Sequence, residues 1–288
     1  MFARATDWAA TRIDRLKQVG LVVALGIFLG GLYLASQALE DLPDRIEPGP
    51  LLLLIVVGAP VTIALNVAEF WLMTRVVGHA AGWRSCFEIT VFASAANMFS
   101  FPGSVVTRIA ALRAYGTTLG RSSQVMMIFA GAWAGVACCY SGAWLVIARQ
   151  HAVGASLMFV GVAGLVVSVL GFLKLKTPIA LVAKILTIRI VAVVVEAVRN
   201  VLSIYAVGYA IGFGEASVFA IASVIGTAIS VIPAGIGVSE AVAALLASLI
   251  AVSPAIGFLS LGINRIVFMV VLSGLAGLLL LTRRKPSR

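Results

Sequence analysis

Long apolar runs separated by short polar segments dominate the chain between residues 19 and 282. A helix that crosses a membrane needs about 20 mostly apolar residues. Eight runs reach or approach that length, at about 19–39, 51–76, 85–101, 123–148, 152–173, 186–211, 217–252 and 255–282. Before them, residues 1–18 place apolar and basic positions on opposite sides of a helix, which predicts an amphipathic segment on the membrane surface. The pattern predicts an all-α polytopic membrane protein.

The composition supports this class. Of the 288 residues, 61% are hydrophobic and 11% are charged, whereas a soluble domain carries about 25% charged residues. We therefore predict a single membrane domain over residues 1–288, located in the cytoplasmic membrane. The net charge of +10 would suggest nucleic-acid binding in a soluble protein. Here the basic residues lie between apolar runs, which indicates cytoplasmic loops and no nucleic-acid partner.

Eight full crossings conflict with the charge distribution. The N-terminus is basic and segment 40–47 is acidic, so the chain is expected to start inside and to form its first loop outside. If run 85–101 crossed completely, Arg108, Arg113 and Arg121 would lie outside, against the tendency of basic loops to stay in the cytoplasm. The later basic loops would be reversed as well. A different topology is therefore needed.

Two re-entrant hairpins of opposite orientation, at 85–122 and 217–252, remove the conflict. Six spanning helices then remain, and both termini are cytoplasmic. Nearly all of the 21 Lys and Arg residues fall on the cytoplasmic side; the exceptions are Arg45 and Arg149 outside, and Arg199 and Arg265 within helices. Each hairpin has helix-breaking residues at its tip, Pro102-Gly103 in the first and Pro233 to Gly237 in the second.

The two halves of the chain also show an internal repeat, about 51–148 and about 186–282. Polar residues and glycines recur at a shift of 130 positions, with one further residue of slip at the prolines. The pairs are Asn66 with Glu196, Glu69 with Arg199, Gly78 with Gly208, Gly82 with Gly212, and Pro102 with Pro233. The predicted topology inverts the second copy. Inverted repeats with broken helices are typical of secondary transporters, whose substrate site lies near the midplane.

Charged residues within apolar helices are costly and usually functional. The candidates for substrate binding on this ground are Glu69, Glu196, Arg199, Asn264 and Arg265. Glu196 and Arg199 share one helix face, so an internal ion pair that only stabilises the bundle is the alternative for them. For Arg265 the alternative is pairing with Glu69 or Glu196.

Two further groups of candidates lie near the hairpin tips. Pro233, Gly235 and Gly237 precede a helix start, where converging N–H groups attract an anion. Glu240 lies in the first turn of that helix, as a headgroup or proton ligand or, alternatively, as a capping charge alone. Arg108 and Arg113 follow the first tip and could attract lipid phosphates; the alternative is a purely topogenic role.

Signals for enzymatic activity are absent from the sequence. His79 and His151 lie in different loops, without metal-ligand spacing. No phosphate-binding loop with a following Lys and no nucleophile elbow occurs. We therefore expect no catalytic residue, no cofactor and no metal.

At these motifs the sequence resembles the lysylphosphatidylglycerol synthase transmembrane family, also called flippase-like or YbhN-like membrane proteins. The segment Pro233 to Glu240 is similar to the family's Pro-Gly-Gly-Leu/Ile-Gly-x-x-Glu, with Ala234 in place of one glycine. Pro102 followed by Arg108 is similar to its first-half motif, although the inner Gly and acidic residue are replaced. The resemblance covers nearly the whole chain.

The resemblance implies translocation of a phospholipid or a polyprenyl-phosphate-linked lipid. From the residues we add the hypothesis that the two hairpins meet near the midplane and enclose a basic cavity for the anionic headgroup, which rocking of one repeat against the other exposes to each side in turn. Two other functions stay open. The chain could be a non-transporting subunit that partners a glycosyltransferase or lipid-modifying enzyme, or a small-anion secondary transporter.

Overall fold

The computed structural model describes residues 46–99, 103–228 and 236–282, with residues 26, 28–31, 33–35 and 37 before them. The described residues form helices and no strand. The helices are α1 Pro48–Val76, α2 Trp83–Phe99, α3 Gly103–Ala114, α4 Leu119–Ile147, α5 His151–Lys174, α6 Ile179–Tyr205, α7 Phe213–Val218, α8 Ala220–Ala228, α9 Val238–Leu249 and α10 Pro254–Thr282. The predicted amphipathic segment, both hairpin prolines and the basic tail lie outside the described residues.

Four of the described helices, α1, α4, α5 and α10, are long and apolar enough to cross a membrane. The prediction of an α-helical protein of the membrane type is confirmed at this level. Helix α6 has 27 residues, but it carries Arg189, Glu196 and Arg199 in its apolar part and is not among the four. The predicted first span, 19–39, lies largely outside the described residues.

Helices α2 and α3 pack against each other as a helical hairpin, hairpin one. At its open end, Ser85 Oγ lies 3.0 Å from Tyr115 Oη, and the Tyr115 ring lies 5.3 Å from the ring of His79. At its tip, Gly103 lies so close to the backbone of Ala96 that a Cβ atom would clash there. The open end of hairpin one therefore lies beside the end of α1 and the start of α4.

Helices α7, α8 and α9 form a second hairpin, hairpin two, with its open end at the opposite end of α4. The ring of Phe213, which begins the hairpin, lies 6.4 Å from the ring of Trp144 near the end of α4. Gln150, between α4 and α5, donates from Nε2 to the carbonyl of Leu249 at 2.9 Å, at the end of the hairpin. The two hairpins thus open toward opposite ends of the bundle.

The same order of elements occurs twice, as a long helix, a hairpin and a long helix. Helices α1 and α6 end in the same way: Gly78 and Gly208 have φ of 86° and 75°. The following N–H in each case reaches back five residues, from His79 to the Thr74 carbonyl and from Tyr209 to the Ile204 carbonyl. Such left-handed helix ends favour glycine. The inverted repeat stays a prediction that this order supports, as does the division into repeat units.

Helix α5 packs closely on α4 through glycines. Along the chain it separates a first unit, α1 to α4, from a second unit, α6 to α10. A Cβ atom added to Gly161 would lie 2.7 Å from the backbone N of Cys139 and 2.8 Å from the Gly135 carbonyl oxygen. Small residues at such contacts let two helices approach closely in a membrane, where apolar burial alone gives no driving force.

The Gly161→Ala variant is expected to be less stable than the wild type by about 1–3 kcal/mol, because the added methyl group meets backbone atoms that cannot move aside. Gly164→Ala is the matched control on the same helix, since its Cβ would meet its nearest neighbours at 3.7 Å, an ordinary contact distance. Unfolding of the two variants in detergent would be compared. Equal stabilities would contradict the close α4–α5 packing.

Candidate functional site

A polar cavity of about 400 Å³ lies in the centre of the helix bundle. Its walls come from α1, α4, α6 and α10 and from both hairpins, near their tips. The charged residues that line it are Glu69, Arg108, Arg189, Glu196, Arg199 and Arg265. Side chains from both halves of the chain therefore meet in one cavity.

The cavity lies at the middle of the long helices. On α10, which spans residues 254–282, its lining residues run from Leu261 to Leu272. On α6, which spans residues 179–205, they run from Arg189 to Arg199. A position so far from both helix ends is where an ionised side chain is most costly in a membrane protein.

Glu69 on α1 holds two arginines at one side of the cavity. Arg189 Nη2 lies 2.6 Å and Arg108 Nη1 lies 3.3 Å from the same oxygen, Oε1 of Glu69. The side chain of Glu69 is 7% exposed and those of both arginines are 9% exposed. Arg189 also donates to the Phe129 carbonyl at 3.1 Å. Two guanidinium groups thus share one carboxylate, which leaves one positive charge uncompensated within this cluster.

Arg265 and Glu240 form a second buried ion pair, between α10 and hairpin two. Arg265 Nε lies 2.6 Å from Glu240 Oε1, and the Glu240 side chain is fully buried. The other oxygen of Glu240 accepts from the Gly237 N–H at 2.8 Å. Gly237 has φ of 82°, which a glycine adopts without strain. Glu240 therefore both caps α9 and neutralises Arg265.

Arg199 makes its close contacts among the described residues with groups that carry no negative charge, while the charge of Glu196 on the same helix attracts it without a salt bridge. Its Nη1 donates to Thr62 Oγ1 at 3.1 Å and its Nη2 to the Asn264 carbonyl at 3.5 Å. The guanidinium also lies 5.2 Å from the centre of the Phe268 ring. Gly58 makes room for this side chain, since a Cβ there would lie 3.1 Å from Arg199 Cγ. Arg199 is 7% exposed.

Glu196 lies between the two arginine groups on α6 and accepts a hydrogen bond from Ser223 of hairpin two. It lines the cavity, and so does Asn264. The Nδ2 atom of Asn264 donates to Asn200 Oδ1 at 3.1 Å, and this hydrogen bond connects α10 to α6. The polar groups of this region are thus held between helices of the second unit.

The structure brings six of the predicted site residues to the cavity wall: Glu69, Arg108, Glu196, Arg199, Asn264 and Arg265. Gly237 and Glu240 lie behind the wall rather than in it. Arg113 is exposed on α3 and does not line the cavity. Pro233 and Gly235 lie outside the described residues. That these residues bind a substrate stays a prediction for every member of the set.

The observed contacts bear on the structural alternatives for Glu196, Arg265 and Glu240. Glu196 and Arg199 share a helix face and attract each other electrostatically, but among the described residues no salt bridge joins them directly. Arg265 forms its salt bridge with Glu240, and the charge of Glu196 attracts it as well. Glu240 has the predicted capping contact, together with an ion pair that the sequence did not suggest.

Arg189 is the cavity residue that sequence reasoning missed, because it was counted with the cytoplasmic basic residues. The burial of Arg189 could have been predicted from its position in the sequence. It lies inside the apolar run 186–211 and seven residues before Glu196, which is two helical turns on the same face. A basic residue in line with two other charged residues on one face indicates a shared polar environment.

No protein-family model and no curated protein matches the chain. The resemblance to the flippase-like family therefore rests on the two motifs alone and stays a prediction.

The chemistry available in the cavity is anion binding. Four guanidinium groups and two carboxylates line it, and the Nε atoms of Arg108, Arg189 and Arg199 have no hydrogen-bond partner among the described residues. Guanidinium groups match the geometry of phosphate oxygens. No group of three or more His, Cys, Asp or Glu side chains that could hold a metal occurs among the described residues.

Proposed function

We propose that this protein is a flippase-like translocase for a phospholipid or a polyprenyl-phosphate-linked lipid. The observation that carries the proposal is the basic cavity at mid-height of an apolar bundle, where four arginines face two glutamates. A buried charge excess of this sign attracts an anion. In a lipid, the anionic part is the headgroup phosphate.

The size of the cavity suits a headgroup rather than a whole lipid. Binding sites for small molecules occupy about 300–1,000 Å³, and this cavity has about 400 Å³. The acyl or prenyl chains would therefore stay in the bilayer while the phosphate lies among the arginines. This division lets one site accept lipids with different tails.

Alternating access is the proposed mechanism. The two hairpins open toward opposite ends of the bundle and are proposed to be re-entrant, each entering and leaving the membrane on its own side. Their tips reach the cavity from opposite directions, near Ser104 in hairpin one and Thr227 in hairpin two. Rocking of one unit against the other would expose the headgroup to each side in turn.

The proposed orientation in the membrane follows from the basic residues. The bundle end that contains the end of α1 and the start of α4 carries Arg75, Arg84, Arg113 and Arg121. The opposite end carries Arg149, together with acidic Glu47 and Glu215. The first end is therefore proposed to face the cytoplasm.

The Arg199→Gln and Arg265→Gln variants test the proposal. Charge-assisted hydrogen bonds contribute about 1.5–3 kcal/mol, so each variant is expected to move lipid about 10- to 100-fold more slowly. The assay uses the full chain in vesicles that contain a fluorescent anionic phospholipid, with a membrane-impermeant quencher to report the lipid in each leaflet. Arg84→Gln is the control, because Arg84 is 93% exposed.

Unchanged movement in both cavity variants would refute the arginine mechanism. If the wild type moves no lipid and co-purifies with a glycosyltransferase or lipid-modifying enzyme, the subunit alternative would be favoured. The burial of Arg108, Arg189 and Arg199, at 7% exposure each, favours the small-anion transporter as the second candidate. Phosphate uptake into the same vesicles without lipid movement would support it.

A further inference from the structure

We propose that the cavity contains two separate phosphate-binding stations, one at each end, rather than a single central site. The inference rests on the proposed function and adds to it the positions at which the phosphate stops. The Glu69 station consists of Arg108 and Arg189 around Glu69. The Arg199 station consists of Arg199 and Arg265 with Thr62.

The Glu69 station has one positive charge more than its carboxylate neutralises. Both arginines approach the same oxygen of Glu69, at 2.6 Å and 3.3 Å. Their Nε atoms are buried and have no hydrogen-bond partner among the described residues. An uncompensated buried charge is strongly unfavourable, and a bound phosphate would both neutralise it and accept the remaining N–H groups.

The Arg199 station offers a buried guanidinium group whose nearest carboxylate on the same helix, Glu196, attracts it without forming a salt bridge among the described residues. Arg265 is neutralised by Glu240 at 2.6 Å, whereas Arg199 contacts a hydroxyl, a carbonyl and an aromatic ring among the described residues. The Nε atom of Arg199 is also buried without a partner. Because Thr62 accepts from Arg199 and lines the cavity, its hydroxyl stands next to the proposed phosphate position.

The two stations are too far apart to act on one phosphate group. Arg189 and Arg199 lie ten residues apart on α6, which corresponds to about 15 Å along a helix axis. Glu196 lies between them on the same helix and lines the cavity. A carboxylate at this position repels an anion, so the phosphate is expected to rest on either side of it and not at the centre.

Each station is proposed to lie nearer to a different membrane leaflet. The Glu69 station lies nearer the open end of hairpin one, because Glu69 is seven residues from Val76, the end of α1 beside that open end. The Arg199 station lies nearer the open end of hairpin two, because Arg199 is six residues from Tyr205, the end of α6 that leads into hairpin two. A headgroup that enters from one leaflet would bind the nearer station and pass Glu196 to reach the other.

Arg108→Gln and Arg199→Gln separate the stations without breaking their closest ion pairs. Arg108→Gln leaves the 2.6 Å pair of Arg189 and Glu69 intact, and Arg199→Gln removes no ion pair among the described residues. Native mass spectrometry of the full chain would count bound dioctanoyl phosphatidic acid. Isothermal titration with inorganic phosphate, run in parallel, gives the stoichiometry for a phosphate without tails.

The expected result is two bound copies for the wild type and for Arg84→Gln, one for each single variant and none for the double variant. A wild type that binds only one copy, or a single variant that loses all binding, would overturn the two-station proposal. Two bound copies without lipid movement in vesicles would leave the stations standing and refute the translocase. Lipid movement by a wild type that binds only one copy would refute the two stations and leave the translocase proposal intact. Binding of two inorganic phosphates without any bound lipid would assign the stations to a free anion.

Discussion

Replacing Glu240 with alanine is expected to destabilise the protein by about 3–5 kcal/mol, the cost of leaving one member of a buried ion pair without its partner. Glu240 is fully buried and lies 2.6 Å from Arg265. The substitution would also remove the acceptor of the Gly237 N–H, which costs a further 1–2 kcal/mol at most, or roughly the value of a helix cap. Unfolding of the purified chain in detergent would measure the loss.

Two comparisons separate the ion pair from the cap. Glu215→Ala is the matched control, because Glu215 caps Gly212 with a 3.0 Å hydrogen bond at an exposed helix start, and only about 1 kcal/mol is expected there. The double variant Glu240→Gln/Arg265→Met removes both charges and retains an acceptor for Gly237. It should be more stable than Glu240→Ala, since an ion pair replaced at both members is often nearly neutral. Equal losses for Glu240→Ala and Glu215→Ala would contradict the ion-pair account.

The helical class and most helix limits could be predicted from the sequence, because long apolar runs leave the chain no soluble alternative. The run predicted at 152–173 is helix α5, His151–Lys174, and the run at 255–282 is α10, Pro254–Thr282. The charge distribution also separated the two hairpin segments from the spanning runs. The described helices pack accordingly, and re-entrance into a membrane stays a prediction.

The pairing of charges across the cavity could not be predicted. Glu69 and Arg189 lie 120 residues apart in sequence, so their contact depends on how α1 and α6 are rotated about their own axes. In a soluble helix the polar face reveals this rotation. In a membrane helix the lipid-facing side is as apolar as the packed side, and one charged residue does not show which neighbour it meets.

Local irregularities of the backbone were also beyond sequence reasoning. Within α1, residues Leu54–Gly58 form a π-helical turn, although the apolar run around them reads as a regular helix. Such insertions occur often at functional positions. Here the turn ends at Gly58, against the Arg199 side chain, and shifts the later residues of α1 relative to α6. The position of Arg199 beside Thr62 follows from this packing and not from any motif.

Replacing Glu69 with glutamine is expected to have the other large effect, and an anion should reverse it. The variant leaves Arg108 and Arg189 buried without their carboxylate, so a loss of about 3–5 kcal/mol is expected in phosphate-free buffer. Added phosphate would occupy the place of the lost charge. At a concentration 100 times its dissociation constant, it would restore about 2.7 kcal/mol.

The wild type gives the comparison that decides the outcome, because there phosphate must compete with Glu69 for the same guanidinium groups. Phosphate is therefore expected to stabilise Glu69→Gln more than the wild type, with the stabilities measured by unfolding in detergent at matched ionic strength. Glu88→Gln is the control for loss of a carboxylate, since Glu88 pairs with an exposed arginine, Arg84. A phosphate effect of equal size in all three proteins would mean that the anion acts elsewhere. A larger effect in Glu69→Gln alone would assign the phosphate to the two arginines that Glu69 holds.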